Sequence, residues 1–264
     1  MSTNNFLRAA LGSFCCCVTL IAFSWGYQQG ATTPGHVVKD PNTCLYVPGA
    51  GFSGFFYTIG HLQAAPELTG SDKTDYYCYS AGCLATTAAL ANITVYDVYD
   101  TALEIQGLWR SGGISQFQVV EEFVDYLITT GSQRTLNAEA VAKMHIITST
   151  HSNADAWLPE TSVRTPKNFI ELKEMLLQSA WIPGMTGDDW ASDGHVDGSF
   201  TSTSHPVCPS AVNLPKLSLT WESLEFYSNI LFGLNMNKDQ GERFWSAGVK
   251  RGLEVAQRKV LVQP

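Results

Sequence analysis

Short apolar runs alternate along this chain with longer segments whose apolar positions recur at helical spacing. Thr43-Cys44-Leu45-Tyr46-Val47 is a compact apolar run stopped by Pro48-Gly49, which predicts a buried strand. A glycine-rich turn follows, then a helical stretch to about Ala65, ended by Pro66. Tyr76-Tyr77-Cys78-Tyr79 predicts a second, aromatic strand. It runs directly into Ser80-Ala81-Gly82 and a helix of small residues from Cys83 to Asn92. Val95 to Trp109 and Gln116 to Ile128 carry helical spacing, with Val119, Val120, Phe123, Tyr126 and Leu127 on one face. Lys143 to Ser149, holding Ile146-Ile147, predicts a strand, and Phe169 to Leu177 a helix. Trp181 to Pro209 reads as a long loop with two Asp-Gly pairs. Leu217 to Thr220 predicts a short strand, and Trp221 to Val260 a mainly helical end with Lys and Arg gathered after Lys250.

Strands alternating with helices imply an α/β fold with a mostly parallel sheet covered on both faces. No internal repeat and no second domain interrupts residues 42–264, read as a core over 43–210 and a helical C-terminal part over 211–264.

The N-terminus follows another pattern. Arg8 is the only charge before Lys39, and Phe14 to Phe23 is a continuous apolar run. That suits a signal-peptide core, with Ala22 and Ser24 placed for cleavage. The rival is an uncleaved anchor, since Ala9 to Trp25 reaches the lower limit for crossing a bilayer. Residues 1–25 are therefore expected to be a signal peptide or membrane anchor. The apolar part, residues 6–25, would direct the chain into the secretory pathway, with 26–41 as a polar linker.

Composition narrows the function classes. Hydrophobic residues make up 45% and charged residues 15% of the 264 positions, a balance that builds a core rather than a disordered chain. A net charge of −8 weighs against nucleic acid as a partner, because phosphate binding needs a basic surface. A membrane substrate met through apolar contacts is compatible with it.

Of seven cysteines, Cys15, Cys16 and Cys17 lie in the targeting segment and read as apolar filler. Cys44, Cys78, Cys83 and Cys208 could form two disulfides in an oxidising compartment. Cys78 and Cys83 fall within strand and helix, however, and are expected to be free core thiols. No C-x-x-C pair points to zinc. Asn92-Ile93-Thr94 is a formal glycosylation sequon.

Three motifs carry chemistry: Gly49-Ala50-Gly51-Phe52-Ser53-Gly54, Cys78-Tyr79-Ser80-Ala81-Gly82 and Asp197-Gly198-Ser199. A serine between a strand and a helix, flanked by small residues, is the pattern of a nucleophile elbow. The plainer alternative is that Ser80 only caps the following helix. The glycine loop could be a dinucleotide fingerprint, but that needs an acidic residue at the end of the next strand. Asp72 and Asp75 precede that strand, which ends in Ser80, so the nucleotide reading fails. The same loop can instead bring backbone N–H groups against an oxyanion.

A serine hydroxyl needs a base. His195 and His205 flank Asp197 and keep a Ser-His pair open, while His36, His61, His145 and His151 lie elsewhere. A desolvated carboxylate can serve instead. Asp197, between Val196 and Phe200, has more apolar neighbours than its near copy Asp193, which follows Asp188-Asp189-Trp190-Ala191-Ser192. That acidic stretch (Asp188, Asp189, Asp193) could also hold calcium, although solvated loop is the simpler expectation.

The three motifs, in this order, resemble the patatin-like phospholipases, with a glycine-rich oxyanion loop, a G-x-S-x-G elbow and a later D-G-G/A. Phe169-Ile170-Glu171-Leu172, leading to Ser179-Ala180-Trp181-Ile182-Pro183-Gly184, is similar to the family's approach to its aspartate. So is Asp197-Gly198-Ser199-Phe200 followed by Pro206. Ser53 in the glycine loop is closer to the animal adipose-lipase branch than to plant patatin, which has a basic residue there. The resemblance covers roughly 43–210, and the C-terminal part matches no named pattern.

The resemblance implies a three-layer α/β/α sandwich and a lipid acyl hydrolase with a Ser80–Asp197 dyad. It implies neither a catalytic histidine nor a metal or cofactor. Gly49, Ala50, Gly51 and Gly54 would form the oxyanion loop, and Cys78 and Gly82 would flank the elbow. The implied partner is a lipid at a membrane or lipid-droplet surface. Two positions depart from the family pattern: Cys78 stands for the first elbow glycine, and Ser199 for the last residue of D-G-G/A. They motivate the rival expectation of a catalytically impaired lipid-binding relative.

Overall fold

The structure is a computed structural model that describes residues 43–65, 74–150, 159–201, 212–213 and 237–262. It is an α/β fold with one mixed six-stranded sheet and, among the described residues, seven α-helices. In chain order the elements are β1 (Thr43–Val47), α1 (Gly51–Ala64), β2 (Thr74–Cys78), α2 (Ala81–Leu90), α3 (Val95–Arg110) and α4 (Gln118–Ser132). They continue as α5 (Ala138–Ala142), β3 (Met144–Thr150), β4 (Glu160–Arg164) and α6 (Phe169–Ser179). The last are β5 (His195–Asp197), a 3-10 turn (Gly198–Phe200), β6 (Val212–Asn213) and α7 (Lys238–Val262).

The sheet runs β4-β3-β2-β1-β6, with β5 also on β3. β1, β2, β3 and β6 are parallel neighbours, whereas β4 and β5 are antiparallel to β3. Alternation along each strand sorts side chains to two faces. Leu45, Val47, Tyr76, Cys78, Met144 and Ile146 join the main core with Phe55 and Phe56 of α1 and Phe123 and Leu127 of α4. Tyr46, Tyr79 and Ile147 form a smaller buried cluster that includes Tyr77 and Val163. The face expected on α4 is buried at Val119, Val120, Phe123 and Leu127.

The first βα units and α6 follow the expected spacing to within a few residues. Five elements do not. β4 and α5 were not expected. The reach from Trp181, expected to be loop, contains β5 and the 3-10 turn, held because β3 offers a free edge to pair with. β6 likewise has too few residues to show a pattern. Leu217 to Thr220, and the targeting segment and linker at 1–41, lie outside the described residues.

The expectation of free thiols at Cys78 and Cys83 is corrected. They form a disulfide, because the turn after β2 brings their Cα atoms to 4.9 Å. Cys44 is disulfide-bonded as well.

Helix α7 packs on α1 at close range. A Cβ at Gly248 would stand 1.9 Å from the Tyr57 carbonyl oxygen, and one at Gly60 would stand 2.4 Å from the Trp245 carbonyl oxygen. Between the two helices His61 is fully buried with neither ring nitrogen hydrogen-bonded.

Candidate active site

Strand pairing explains why Ser80 and Asp197 meet. β2 and β3 run parallel with Cys78 opposite Ile146. β5 runs the other way on β3, with Asp197 opposite Thr148. β4 covers the other edge of β3 from Ile146 to Thr150, so β5 shares an edge with β2. The two strands meet end to end on that edge. The chain leaving β2 must turn away, and Asp197 stands where β2 would have continued.

The turn is made at Ser80, with φ 53° and ψ −138°. A serine at positive φ is uncommon and costs roughly 1–3 kcal/mol. Several contacts hold it there. The Ser80 N–H donates to Ser179 Oγ at 2.9 Å, and that hydroxyl donates to the Ile147 carbonyl at 2.7 Å. Cys83 N–H donates to the Ser80 carbonyl at 2.9 Å. Gly82 lies against the β1 exit, where a Cβ would come within 2.3 Å of the Val47 carbonyl oxygen. Ser80 makes no side-chain cap on α2. That absence removes the capping alternative, and the hydroxyl instead interacts with the Asp197 carboxylate, where it helps to lower the carboxyl pKa.

Asp197 is 1% exposed. Ser199 N–H donates to its Oδ1 at 2.7 Å. Burial pushes its carboxyl up to about 6, against the lowering effect of hydrogen bonds from Ser80 and Ser199. Its own N–H donates to the Trp181 carbonyl at 2.8 Å, and its carbonyl accepts from Ser149 Oγ at 2.9 Å. A Cβ at Gly198 would lie 2.6 Å from both the Ile147 carbonyl oxygen and Tyr79 Cβ, so the residue after Asp197 must be glycine.

The glycine loop lies against the elbow. A Cβ at Gly49 would come within 2.5 Å of Ser80 Cβ. Gly51, at φ 65°, opens α1, which has no side-chain cap at Ala50. The first-turn N–H groups of a helix have no partner within it. Those of Gly51 and Phe52 thus sit at the mouth of α1, just after Gly49, which packs on Ser80, with Ala81 N–H at the mouth of α2. Gly54 N–H donates to the Ala50 carbonyl at 3.2 Å, so it closes the first turn of α1 rather than serving as a free donor.

The competing residues separate cleanly. Asp193 (φ 48°) and Gly194 (φ 77°) form a two-residue hairpin turn closed by paired Ser192–His195 backbone bonds of 2.9 Å, and Asp193 is exposed. His195 Nδ1 is bonded to Thr148 Oγ1 at 2.9 Å. His145 stacks on Tyr77 and bonds Thr165. Among the described residues no histidine joins the hydrogen bonds of Ser80 or Asp197; His36, His151 and His205 lie outside them. Among the described residues no group of three His, Cys, Asp or Glu is placed to hold a metal ion, and no helix is long and apolar enough to cross a membrane.

Ser179 and the Cys78–Cys83 bond were missed as parts of this site. Ser179 stood within the stretch that resembles the family, and the cysteines bracket Ser80 in the sequence, but neither spacing reveals a partner. In comparisons with known proteins, no family model matches the chain and no curated protein matches it.

Proposed function

We propose that the chain is a serine acyl hydrolase acting on lipid esters through Ser80 and Asp197. The observation that carries this reading is the convergence of the Ser80 hydroxyl, on a turn of unfavourable backbone geometry, on a fully buried carboxylate that it helps to keep ionised. In the proposed cycle Ser80 Oγ attacks the ester carbonyl carbon while its proton passes to Asp197. The carbonyl oxygen becomes an oxyanion, met by N–H groups of the Gly51 loop and of Ala81, donors worth roughly 3–4 kcal/mol in comparable sites. Collapse expels the alcohol, which takes the proton from Asp197 and leaves an acyl-serine. Water, deprotonated by the same carboxylate, then releases the acid.

The lipid class of the substrate rests on the motif resemblance, as does the three-layer α/β/α arrangement. The burial of side chains on both faces of the sheet supports that arrangement. Entry into the secretory pathway through residues 6–25, with substrate met at a membrane or lipid-droplet surface, belongs to the same proposal. The rival reading is a lipid-binding relative without catalysis.

One experiment separates the two. The purified chain is expected to hydrolyse a short p-nitrophenyl ester and to be labelled at Ser80 by a fluorophosphonate, with both lost in Ser80→Ala. Lipid binding without labelling would establish the rival, and an undiminished rate in the variant would remove the hydrolase reading.

A further inference from the structure

The disulfide encloses the nucleophile. Cys78 is the last residue of β2 and Cys83 lies in the first turn of α2, five positions on, with Ser80 between them. Both cysteines are 0% exposed. The elements they join are fixed independently: β2 is paired on both edges, by β1 and β3, and α2 packs in the main core through Cys83, Leu84, Ala85 and Ala88. The bond therefore spans the one segment between them that must hold an unfavourable conformation, the turn with Ser80 at φ 53°.

Chain length decides what such a bond does. Disulfides restrain an unfolded chain more the longer the loop they close, so a bond across five positions adds little to the stability of the whole fold. Its effect is concentrated on the turn. An ordinary φ at Ser80 would re-aim the segment between the two cysteines, and the bond resists any change in their 4.9 Å Cα separation. The disulfide also accounts for the departure at the first elbow position: the side chain that replaces hydrogen there is tied to α2 rather than loose in the turn.

We propose that the Cys78–Cys83 disulfide is a positioning element for the nucleophile, holding the Ser80 hydroxyl on Asp197. The inference rests on the hydrolase reading of the same site. Neither cysteine touches substrate in it, so both act through Ser80.

The test uses the full chain, oxidised, and the double variant Cys78→Ala/Cys83→Ala, with Cys44→Ala as a control that loses a disulfide elsewhere. Active sites are titrated with a fluorophosphonate, and kcat and KM are measured on p-nitrophenyl butyrate. Positioning predicts that kcat per titrated site falls by about tenfold to a hundredfold in the double variant, with KM unchanged and slower fluorophosphonate labelling. Cys44→Ala should keep its kcat per site. A purely structural bond would lower the melting temperature or the titrated fraction and leave kcat per site unchanged, which would overturn the inference.

Should the double variant not fold, the parent is treated with a water-soluble phosphine. The phosphine takes oxygen from water to become its oxide, and the disulfide gains two electrons and two protons to become two thiols. Mass spectrometry follows that pair, and the labelling rate is read on the folded reduced protein. A slowed rate supports the inference, and an unchanged one overturns it. If the oxidised parent itself fails to react with the fluorophosphonate, the hydrolase reading falls and takes this inference with it, a result distinct from equal reactivity of the two redox forms.

Discussion

Desolvation keeps Asp197 protonated up to a pH of about 6, because it outweighs the hydrogen bonds from Ser80 and Ser199 that favour the ion. Only the ionised form can accept the serine proton. The kcat/KM of ester hydrolysis is therefore expected to fall about tenfold per pH unit below about 6 and to level off above it, in a profile taken on a neutral substrate. The same residue carries a cost in stability. Its folded pKa lies above the ordinary 3.8, so between 3.8 and about 6 the folded state binds more protons than the unfolded chain. Stability falls as pH rises through that window and stays lowered beyond it. Asp197→Asn removes the buried charge. At pH 8 it should recover up to about 3 kcal/mol, read as a melting temperature several degrees higher, while hydrolysis is abolished. A variant both inactive and less stable would show that the hydrogen bonds to the carboxylate outweigh its burial.

At the scale of elements, the contact of α1 with α7 is set by missing side chains. A methyl at Gly248 would meet the Tyr57 carbonyl, a backbone atom that cannot swing aside. Gly248→Ala is expected to destabilise by roughly 1–3 kcal/mol through this overpacking, measured by denaturant unfolding. Because α1 begins at the glycine loop that packs on Ser80, the proposed hydrolysis should also lose kcat in this variant more than it gains in KM. Legibility in the sequence differed by element for physical reasons. β1 showed itself because both of its faces are buried, so nearly every position is apolar, and β2 through the aromatic pair Tyr76-Tyr77 next to Cys78, with one face buried and the other half-buried. β4 is an edge strand whose residues Glu160 to Arg164 are exposed or half-buried, which leaves almost no apolar signal. β5 has three residues, fewer than any periodicity needs. The glycine loop, the elbow and the Asp-Gly pair were readable because close packing demands glycine there, at Gly49 against the Ser80 and Tyr79 side chains, at Gly82 against backbone carbonyls and at Gly198 against the Ile147 carbonyl and Tyr79 Cβ. The burial of Asp197, against the exposure of Asp193, was legible through its apolar neighbours. The Cys78–Cys83 bond was not, since it depends on a distance that only the reversed turn at Ser80 creates.

Across the whole molecule, two buried groups oppose each other as pH changes. His61 sits between α1 and α7, and burial followed by the nearby Arg251 guanidinium lowers it from 6.5 to about 4. Tyr57 stacks edge-on against it, and Glu254 lies on the same side of α7 as Arg251. Between about 4 and 6.5 the unfolded chain binds the extra proton at His61, so this residue makes the fold lose stability as pH falls. Asp197 acts in the opposite sense over nearly the same interval. In the parent Asp197 therefore offsets part of the loss that His61 causes from pH 6.5 to 4.5. In Asp197→Asn that opposition is gone, and the melting temperature should drop on acidification more steeply than in the parent, with His145 and His195, which burial also lowers, adding to His61. A flat profile in that variant would show that His61 finds compensation on protonation.

β5 has three residues, and the Asp193-Gly194 turn just before it sets where they fall on β3. Successive side chains in a strand point to opposite sides, so a slip of one place would present Val196 to the serine and send the acid the other way. Chemistry here is a matter of phase. A segment too short to advertise itself does the counting for the whole molecule, and one miscount would leave the hydroxyl facing hydrocarbon.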